Sequence, residues 1–420
     1  MDRKVNGSSL GGEVRAIPSK SQAHRMLICS ALAEGESSIY CPAINEDIEA
    51  TAGCLGALGA RLTRSEGSYT VLPVGGGEGG GVLACGESGS TLRFLLPVAC
   101  ALGAEVTFEG KGRLPQRPMA ELCEALREGG AEVSADNLPI KVSGTLKAGT
   151  YKLPANVSSQ YISGLMFALP LLEGESVIEL DAQPESEPYI DMTIGALKLF
   201  GVEVMKEGNS YRIPAGQKYV SPGRAEVEGD WSNAAFWLCA GAIGRKPVSV
   251  TGMNMASAQG DRAVVETLLC MGAKVEEENG ILTVYPSKLR GIEIDAKNIP
   301  DLVPVLAVTA ATAEGETRIY NAGRLRIKES DRIKTTSALL RSLGAAAEET
   351  DDGLIVRGGK LHGGETESYG DHRIAMAAAV AACAADGEVL IRNSQAVAKS
   401  YPAFFEDYAA LGGKVKECDR

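Results

Sequence analysis

The 420-residue sequence predicts an α/β fold made of six copies of a unit of about 70 residues, grouped three and three into two domains. Two recurring phrases and one interrupted unit carry that expectation. A phrase of the type x-Gly-Ala-x-Val appears at Gly59 (LGARL), Gly130 (GGAEV), Gly201 (FGVEV), Gly272 (MGAKV), Gly344 (LGAAA) and Gly412 (LGGKV), at separations of 71, 71, 71, 72 and 68 residues. A second phrase opens a long helix of small apolar residues. It recurs at Ser21, Gly89, Ser159, Ser232, Asp301 and His372, at separations of 68, 70, 73, 69 and 71. The sixth unit stops short, because only eight residues follow Gly412. The segment leading up to Ser21 is expected to complete it, so that both chain ends fall in one domain and lie close together.

Each element follows from local chemistry. Glycine suits the left-handed position that ends a helix, and the apolar/polar alternation after it starts a strand. Turn signals then follow at Gly67-Ser68, Asp136-Asn137, Gly208-Asn209, Asn279-Gly280 and Asp352-Gly353, each reading as a hairpin. Most of the apolar helices lead into a Gly-x-(x)-apolar strand, as in AEGESSIY, LEGESVIEL and AEGETRIY. The unit is therefore strand–helix–strand–helix–hairpin. Three units per domain place one domain at residues 18–227 and the other at 1–17 with 228–420.

Composition narrows the function. The net charge is −12 with no basic stripe, which argues against nucleic acid as a partner but not against small anions, since these respond to the local field of a cleft. No secretory h-region opens the chain, and the apolar stretches at Leu302 to Ala313 and Ile374 to Ala385 are too short to span a bilayer. A cytoplasmic location and no membrane partner are expected. Ten cysteines without a CxxC pair, and only three histidines, speak against a metal site.

The repeats also point to where chemistry gathers. Helix N-termini leave N–H groups unpaired and carry partial positive charge, so several of them facing one gap form an anion site. The openings supply Lys20, Ser21 and Arg25 (PSKSQAHR), Gly89, Ser90 and Arg93 (GESGSTLR), Ser158, Ser159 and Gln160 (NVSSQ), Asp301, and Asp371 to Arg373 (DHR). The loops before the second helices add Arg117 (LPQRP), Ser186 and Tyr189 (SEPY), Arg326 to Arg332 (RIKESDR) and Lys399 (VAKSYP). Arginine suits bidentate capture of phosphate and carboxylate, and lysine serves as a mobile charge or proton donor. Taken singly, each residue reads equally well as a helix cap, a turn or a solvated charge. Their recurrence at equivalent positions favours a shared anion-binding cleft.

SKSQAHR, GESGSTLRFL, QRPM, SSQYISGL, SEPYID, IPD, KESDR, YGDHR and AKSYP, in this order and spacing, resemble the 5-enolpyruvylshikimate-3-phosphate synthases over nearly the whole chain. That resemblance implies a two-domain inside-out α/β barrel, each domain built from three βαβαββ units, with the active site in the interdomain cleft. It implies transfer of the enolpyruvyl group of phosphoenolpyruvate to the 5-hydroxyl of shikimate 3-phosphate, on the route to chorismate and the aromatic amino acids. It implies no cofactor and no metal, and a monomer whose partners are the two substrates. Shikimate 3-phosphate is then expected at Lys20, Ser21, Arg25, Ser158, Ser159, Gln160, Ser186, Tyr189, Asp301 and Lys328, mainly in the 18–227 domain. Phosphoenolpyruvate is expected at Lys20, Gly89, Arg117, Gln160, Arg332, Arg373 and Lys399. Ser90, Arg93 and His372 are expected to support the loops. Asp301 is the candidate base, and Glu329 and Lys20 are the candidates for proton delivery. The sequence departs from the family pattern at Glu87 and Arg324.

Two other readings compete. The related transferase acting on UDP-N-acetylglucosamine commonly carries a cysteine in the mobile loop, where this chain has Lys111 to Pro118 and none; the nearest is Cys123. A non-catalytic anion-binding scaffold is the other, and the full set of acid, base and cationic positions argues against it.

Overall fold

Helices of two kinds alternate along the chain. The computed structural model describes residues 1–75, 80–156 and 158–418. They divide between two compact units, Pro18–Val227 on one side and Met1–Ile17 with Glu228–Arg420 on the other. The first unit holds α1 (Lys20–Leu32), α2 (Glu46–Ala57), α3 (Gly89–Ala101), α4 (Ala120–Glu128), α5 (Ser159–Ala168) and α6 (Glu187–Leu199). The second holds α7 (Trp231–Ile243), α8 (Val264–Cys270), α9 (Val303–Ala310), α10 (Arg332–Ser342), α11 (His372–Ala381) and α12 (Phe404–Ala410). The odd-numbered helices are the small-residue-rich ones and are buried along almost their whole length. A helix apolar on all sides has to sit inside. The even-numbered helices bury one face, as Ile48, Thr51, Cys54 and Leu55 of α2 illustrate.

Each unit carries three four-stranded sheets of one pattern. In one of them Thr150–Leu153 runs parallel to Ser176–Leu180, which is antiparallel to Ser210–Ile213, which in turn pairs antiparallel with Met205–Glu207. The parallel step needs a crossover helix and the antiparallel step only a hairpin, and this reproduces the strand–helix–strand–helix–hairpin order. Buried helices with sheets outside them give the inside-out arrangement. The glycine of the recurring phrase has positive φ at all six positions, between 77° and 100°, which identifies it as the left-handed helix terminator.

Two sheets are completed by distant segments. Gly12–Arg15 lies parallel to Val248–Thr251, and Arg224–Glu226 lies parallel to Ser37–Tyr40. In a third, Asp2–Asn6 pairs antiparallel with both Val389–Arg392 and Lys414–Cys418, in register from Asp2↔Cys418 to Asn6↔Lys414. The opening strand of the chain thus takes the place of the missing hairpin strand of the sixth unit. Among the described residues no helix is long and apolar enough to cross a membrane.

Inside the Pro18–Val227 unit α3 and α5 approach closely at Gly164. A Cβ there would stand 2.2 Å from the Arg93 carbonyl oxygen and 3.1 Å from Pro97 Cγ. Pro97 has no N–H to offer that carbonyl four residues before it, and the glycine of the neighbouring helix closes over the spot. Gly164→Ala should therefore destabilise the protein by about 1–3 kcal/mol, read as a lower denaturation midpoint; a midpoint unchanged or raised would contradict this contact.

Candidate active site

Serine caps set the helix openings of the Pro18–Val227 unit. Ser19 accepts from the Gln22 N–H at 3.4 Å, Ser88 from Thr91 at 3.2 Å and Ser158 from Gln160 at 3.3 Å. Each cap satisfies one helix-end donor, and the remaining first-turn N–H groups keep their positive potential. Ser158 is thus the cap of α5. Around these openings most of the expected residues are linked. Lys20 pairs with Asp47 at 2.8 Å. Arg25 is buried and donates to the carbonyls of Ser21 and Tyr189, both at 2.6 Å, and to Thr193 Oγ1 at 2.9 Å. Burial without a carboxylate beside it pushes its guanidinium down to about 10. Gln160 receives a hydrogen bond from Arg93 at 2.9 Å and gives one to Ser90 at 2.8 Å. Arg93 also holds the Pro118 carbonyl at 3.1 Å, next to Arg117. Ser186 is buried in the left-handed conformation (φ 55°), a costly state for a non-glycine residue of the kind concentrated at functional sites.

Gly89 lies against two guanidinium groups. A Cβ there would stand 2.7 Å from Arg117 Nη1 and 2.9 Å from Arg93 Nη1. The glycine is needed to let arginine reach the helix start. Glu87, where the sequence departs from the family pattern, has its carboxylate packed over Gly112, whose Cβ would fall within 2.8 Å of both oxygens. Cys123 is buried in α4, and burial, aided by Asp136, pushes its thiol up to about 12, so it is no loop nucleophile.

In the other unit the expected residues Asp301, Glu329, Arg332 and Arg373 join one ionic network. Arg332 donates to Asp301 Oδ1, Glu329 Oε2 and Asp371 Oδ2, each at 2.8 Å, and Arg373 donates to Asp301 Oδ2 at 2.9 Å. Asp371 is fully buried; it caps α11 through the Arg373 N–H at 2.9 Å and accepts from Ser330 Oγ at 3.0 Å. Burial alone would raise the Asp301 carboxyl, but Arg373, Arg332 and Lys328 outweigh it and hold the group ionised, well below the usual carboxylate range. Lys399 donates to the Gly370 carbonyl at 2.8 Å, one residue before Asp371. His372 is buried at the start of α11. Arg324 donates to the Lys297 carbonyl at 3.1 Å.

Two residues escaped the sequence reading. Asp47 lies in the first turn of α2, and Asp261 lies in the turn before α8. Both occupy the loop position that supplies LPQRP, SEPY, KESDR and VAKSYP in the other four units, so the repeat itself was the signal. Asp261 is buried, accepts from the Ser232 hydroxyl, and shares through Ser232 a link to Arg373, which donates to the Ser232 carbonyl at 3.4 Å. Burial, reinforced by the negative charge of Asp301, pushes its carboxyl up to about 7. Among the described residues no cluster of ligands for a metal occurs.

A carboxyl whose pKa is raised in the folded state favours folding less as pH climbs from the unfolded value near 4 to about 7. Asp301 and Asp371, held low, lose their stabilising effect only below that window. Asp261→Asn should therefore gain stability relative to the parent between pH 5 and 8, on the order of 1–3 kcal/mol. Denaturation at several pH values checks this, and a constant difference across the range would refute it.

Six βαβαββ units with lysine and arginine gathered at helix openings define a transferase-type scaffold for small anions. The family model described as EPSP synthase (3-phosphoshikimate 1-carboxyvinyltransferase) matches residues 5–408. The chain is 42% identical to the 3-phosphoshikimate 1-carboxyvinyltransferase of Clostridium kluyveri, over 98% of each chain. It is also 42% identical to the enzyme of the same name from Clostridium acetobutylicum, over 99% of this chain and 98% of that one. The solved structure of EPSP synthase from Acinetobacter baumannii superposes with a TM-score of 0.84 at 29% identity, covering 99% of this chain and 100% of that one. The chain belongs to the EPSP synthase family.

Proposed function

We propose that this chain transfers the carboxyvinyl group of phosphoenolpyruvate to the 5-hydroxyl of shikimate 3-phosphate, releasing phosphate by addition and elimination through a tetrahedral intermediate. The observation that carries the reading, in a member of this family, is the Asp301 carboxylate clasped by Arg332 and Arg373 beside Glu329. The two substrates bring two phosphates and two carboxylates together, and their repulsion in a low-dielectric site has to be offset by cations. Shikimate 3-phosphate is assigned to Lys20, Ser21, Arg25, Ser158, Ser159, Gln160, Ser186 and Tyr189, with Asp301 and Lys328. Phosphoenolpyruvate is assigned to Lys20, Gly89, Arg117, Gln160, Arg332, Arg373 and Lys399.

The chemistry follows from the ion pairs. Asp301 tied to two arginines is a weak base. The carboxylate of phosphoenolpyruvate offers the same bidentate partner to Arg332 and Arg373, and by taking it over leaves Asp301 with less stabilisation and a higher proton affinity. Asp301 then accepts the 5-hydroxyl proton as that oxygen attacks C2 of the enol, and the methylene carbon takes a proton from Glu329 or Lys20. Loss of a proton from the resulting methyl group expels phosphate and restores the double bond. Positioning and electrostatic stabilisation carry the rate, with no covalent intermediate on the protein.

Phosphate release should need both substrates together, and UDP-N-acetylglucosamine should not replace shikimate 3-phosphate; release with that sugar nucleotide would assign the chain to the other branch. Asp301→Ala should lower kcat by about 10²–10⁴ while shikimate 3-phosphate still binds by calorimetry, and parent-like turnover would remove Asp301 from the mechanism. Gly89→Ala, which drives a methyl into Arg117, should raise KM for phosphoenolpyruvate more than KM for shikimate 3-phosphate; equal changes would contradict the placement.

A further inference from the structure

His24 has no part in the reaction outlined above, yet it sits one helical turn from Lys20 and is fully buried. Its Nδ1 lies 2.7 Å from Thr51 Oγ1, Thr51 Oγ1 lies 2.7 Å from Thr91 Oγ1, and Thr91 Oγ1 lies 2.8 Å from Ser88 Oγ. Thr51, Thr91 and Ser88 are buried as well. Ser88 is the cap of α3, and its oxygen also receives the Thr91 N–H. The chain of contacts therefore runs from α1 through α2 to the opening of α3.

Its direction follows from proton counting. Each hydroxyl has one proton to give. Run from Ser88 toward His24, the chain would end on an unprotonated Nδ1 and put the imidazole proton on Nε2. Nε2 is buried and has no hydrogen-bond partner among the described residues, and a buried N–H without an acceptor is among the costliest polar defects. Run from His24 toward Ser88, the imidazole proton has an acceptor in Thr51 Oγ1 and Nε2 keeps only a lone pair. Thr91 Oγ1 has two acceptors in reach, Ser88 Oγ at 2.8 Å and the Asp47 carbonyl oxygen at 3.5 Å, and giving its one proton to either leaves it an acceptor toward Thr51. A charged ring would need Nε2–H as well. Burial, with Lys20 and Arg25 nearby, holds the imidazole neutral.

The geometry also has a repeat of its own. Lys20 and His24 are four residues apart on α1, and Asp47 and Thr51 are four apart on α2, so each pair occupies one helix face. Lys20–Asp47 makes a partly buried rung between the two helices, and His24–Thr51 makes a fully buried one. The buried rung continues to α3 through the Thr51–Thr91 hydroxyl contact. We propose that His24 is a positioning residue for the phosphoenolpyruvate half of the site: its Nδ1-protonated ring anchors a one-way hydrogen-bond chain that fixes the Ser88 cap, and with it the first turn of α3 at Gly89 and Ser90. The inference rests on the reading that phosphoenolpyruvate docks at that turn.

Two measurements test it. With only three histidines in the chain, ¹⁵N-edited NMR, assigned by loss of signal in His24→Phe, reads the tautomer directly. His24 should show the Nδ1–H form unchanged from pH 5.5 to 9; the Nε2–H form, or titration in that range, would overturn the proposal. In steady-state kinetics Thr51→Val, nearly isosteric, should raise KM for phosphoenolpyruvate about tenfold with kcat and KM for shikimate 3-phosphate within about twofold. His24→Phe should do the same and His24→Asn, which keeps an N–H near Nδ1, should recover most of the loss. A uniform fall in kcat, equal rises in both KM values, or no change in Thr51→Val would overturn it, and Thr51→Val decides alone if His24→Phe does not fold. Absence of any phosphate release by the parent enzyme would instead defeat the functional reading, while the tautomer result would still report on the chain itself.

Discussion

Arg332 is a guanidinium with almost no exposure, and the rest of its unit's chemistry is arranged around it. A buried cation costs several kcal/mol unless paired and hydrogen-bonded throughout, and Arg332 meets that demand with three carboxylates. These partners are not equivalent. Asp371 is completely buried, whereas the Asp301 and Glu329 side chains retain about one fifth of their exposure (21% and 19%). Asp371 is the permanent counterion that holds the fork in place. Asp301 and Glu329 are the partners that an incoming anion is able to displace. In the proposed mechanism these two carboxylates are the groups released, one for each direction of proton movement.

The other unit solves its electrostatic problem differently. Arg25 and Arg93 are oriented by carbonyl oxygens, hydroxyls and the Gln160 amide, groups that carry no net charge. Hydrogen bonds of this kind set direction without cancelling the cation. Under the proposed function this fits capture of anions by the Pro18–Val227 unit, where Lys20 is paired with Asp47, and acid–base work by the unit containing Asp301. A division of labour of this sort explains how a chain of net charge −12 presents locally cationic surfaces where they are needed.

Much of this was legible in the sequence because the signals are repeated. Six glycines at near-equal spacing all turn out left-handed, and the interrupted sixth unit is completed by the strand Asp2–Asn6. The helix starts were readable because caps and small residues mark them. Pairwise geometry was not readable. Nothing in the letters shows that Arg332 reaches Asp371 as well as Asp301, or that Arg25 spends three hydrogen bonds on its own unit. Asp47 and Asp261 carry no such local mark: an aspartate at a helix start reads as an ordinary first-turn acid. Gly89 was expected beside the enol donor; its immediate neighbours are the guanidinium groups of Arg117 and Arg93, a contact that depends on rotamers no spacing rule encodes.

The pairing of Asp2–Asn6 with Lys414–Cys418 has a bearing on biosynthesis. Residues 18–227 can close their three sheets as soon as they have emerged, since every strand they need lies within them. The strand Asp2–Asn6 has to wait, unpaired, until Val389–Arg392 and Lys414–Cys418 have been made. During that interval its exposed edge is available to wrong partners, and loop closure over the full length makes this ladder the slowest to form. Arg3 and Lys4, consecutive in that strand, place one positive charge on each of its faces while it waits, a built-in deterrent to premature association.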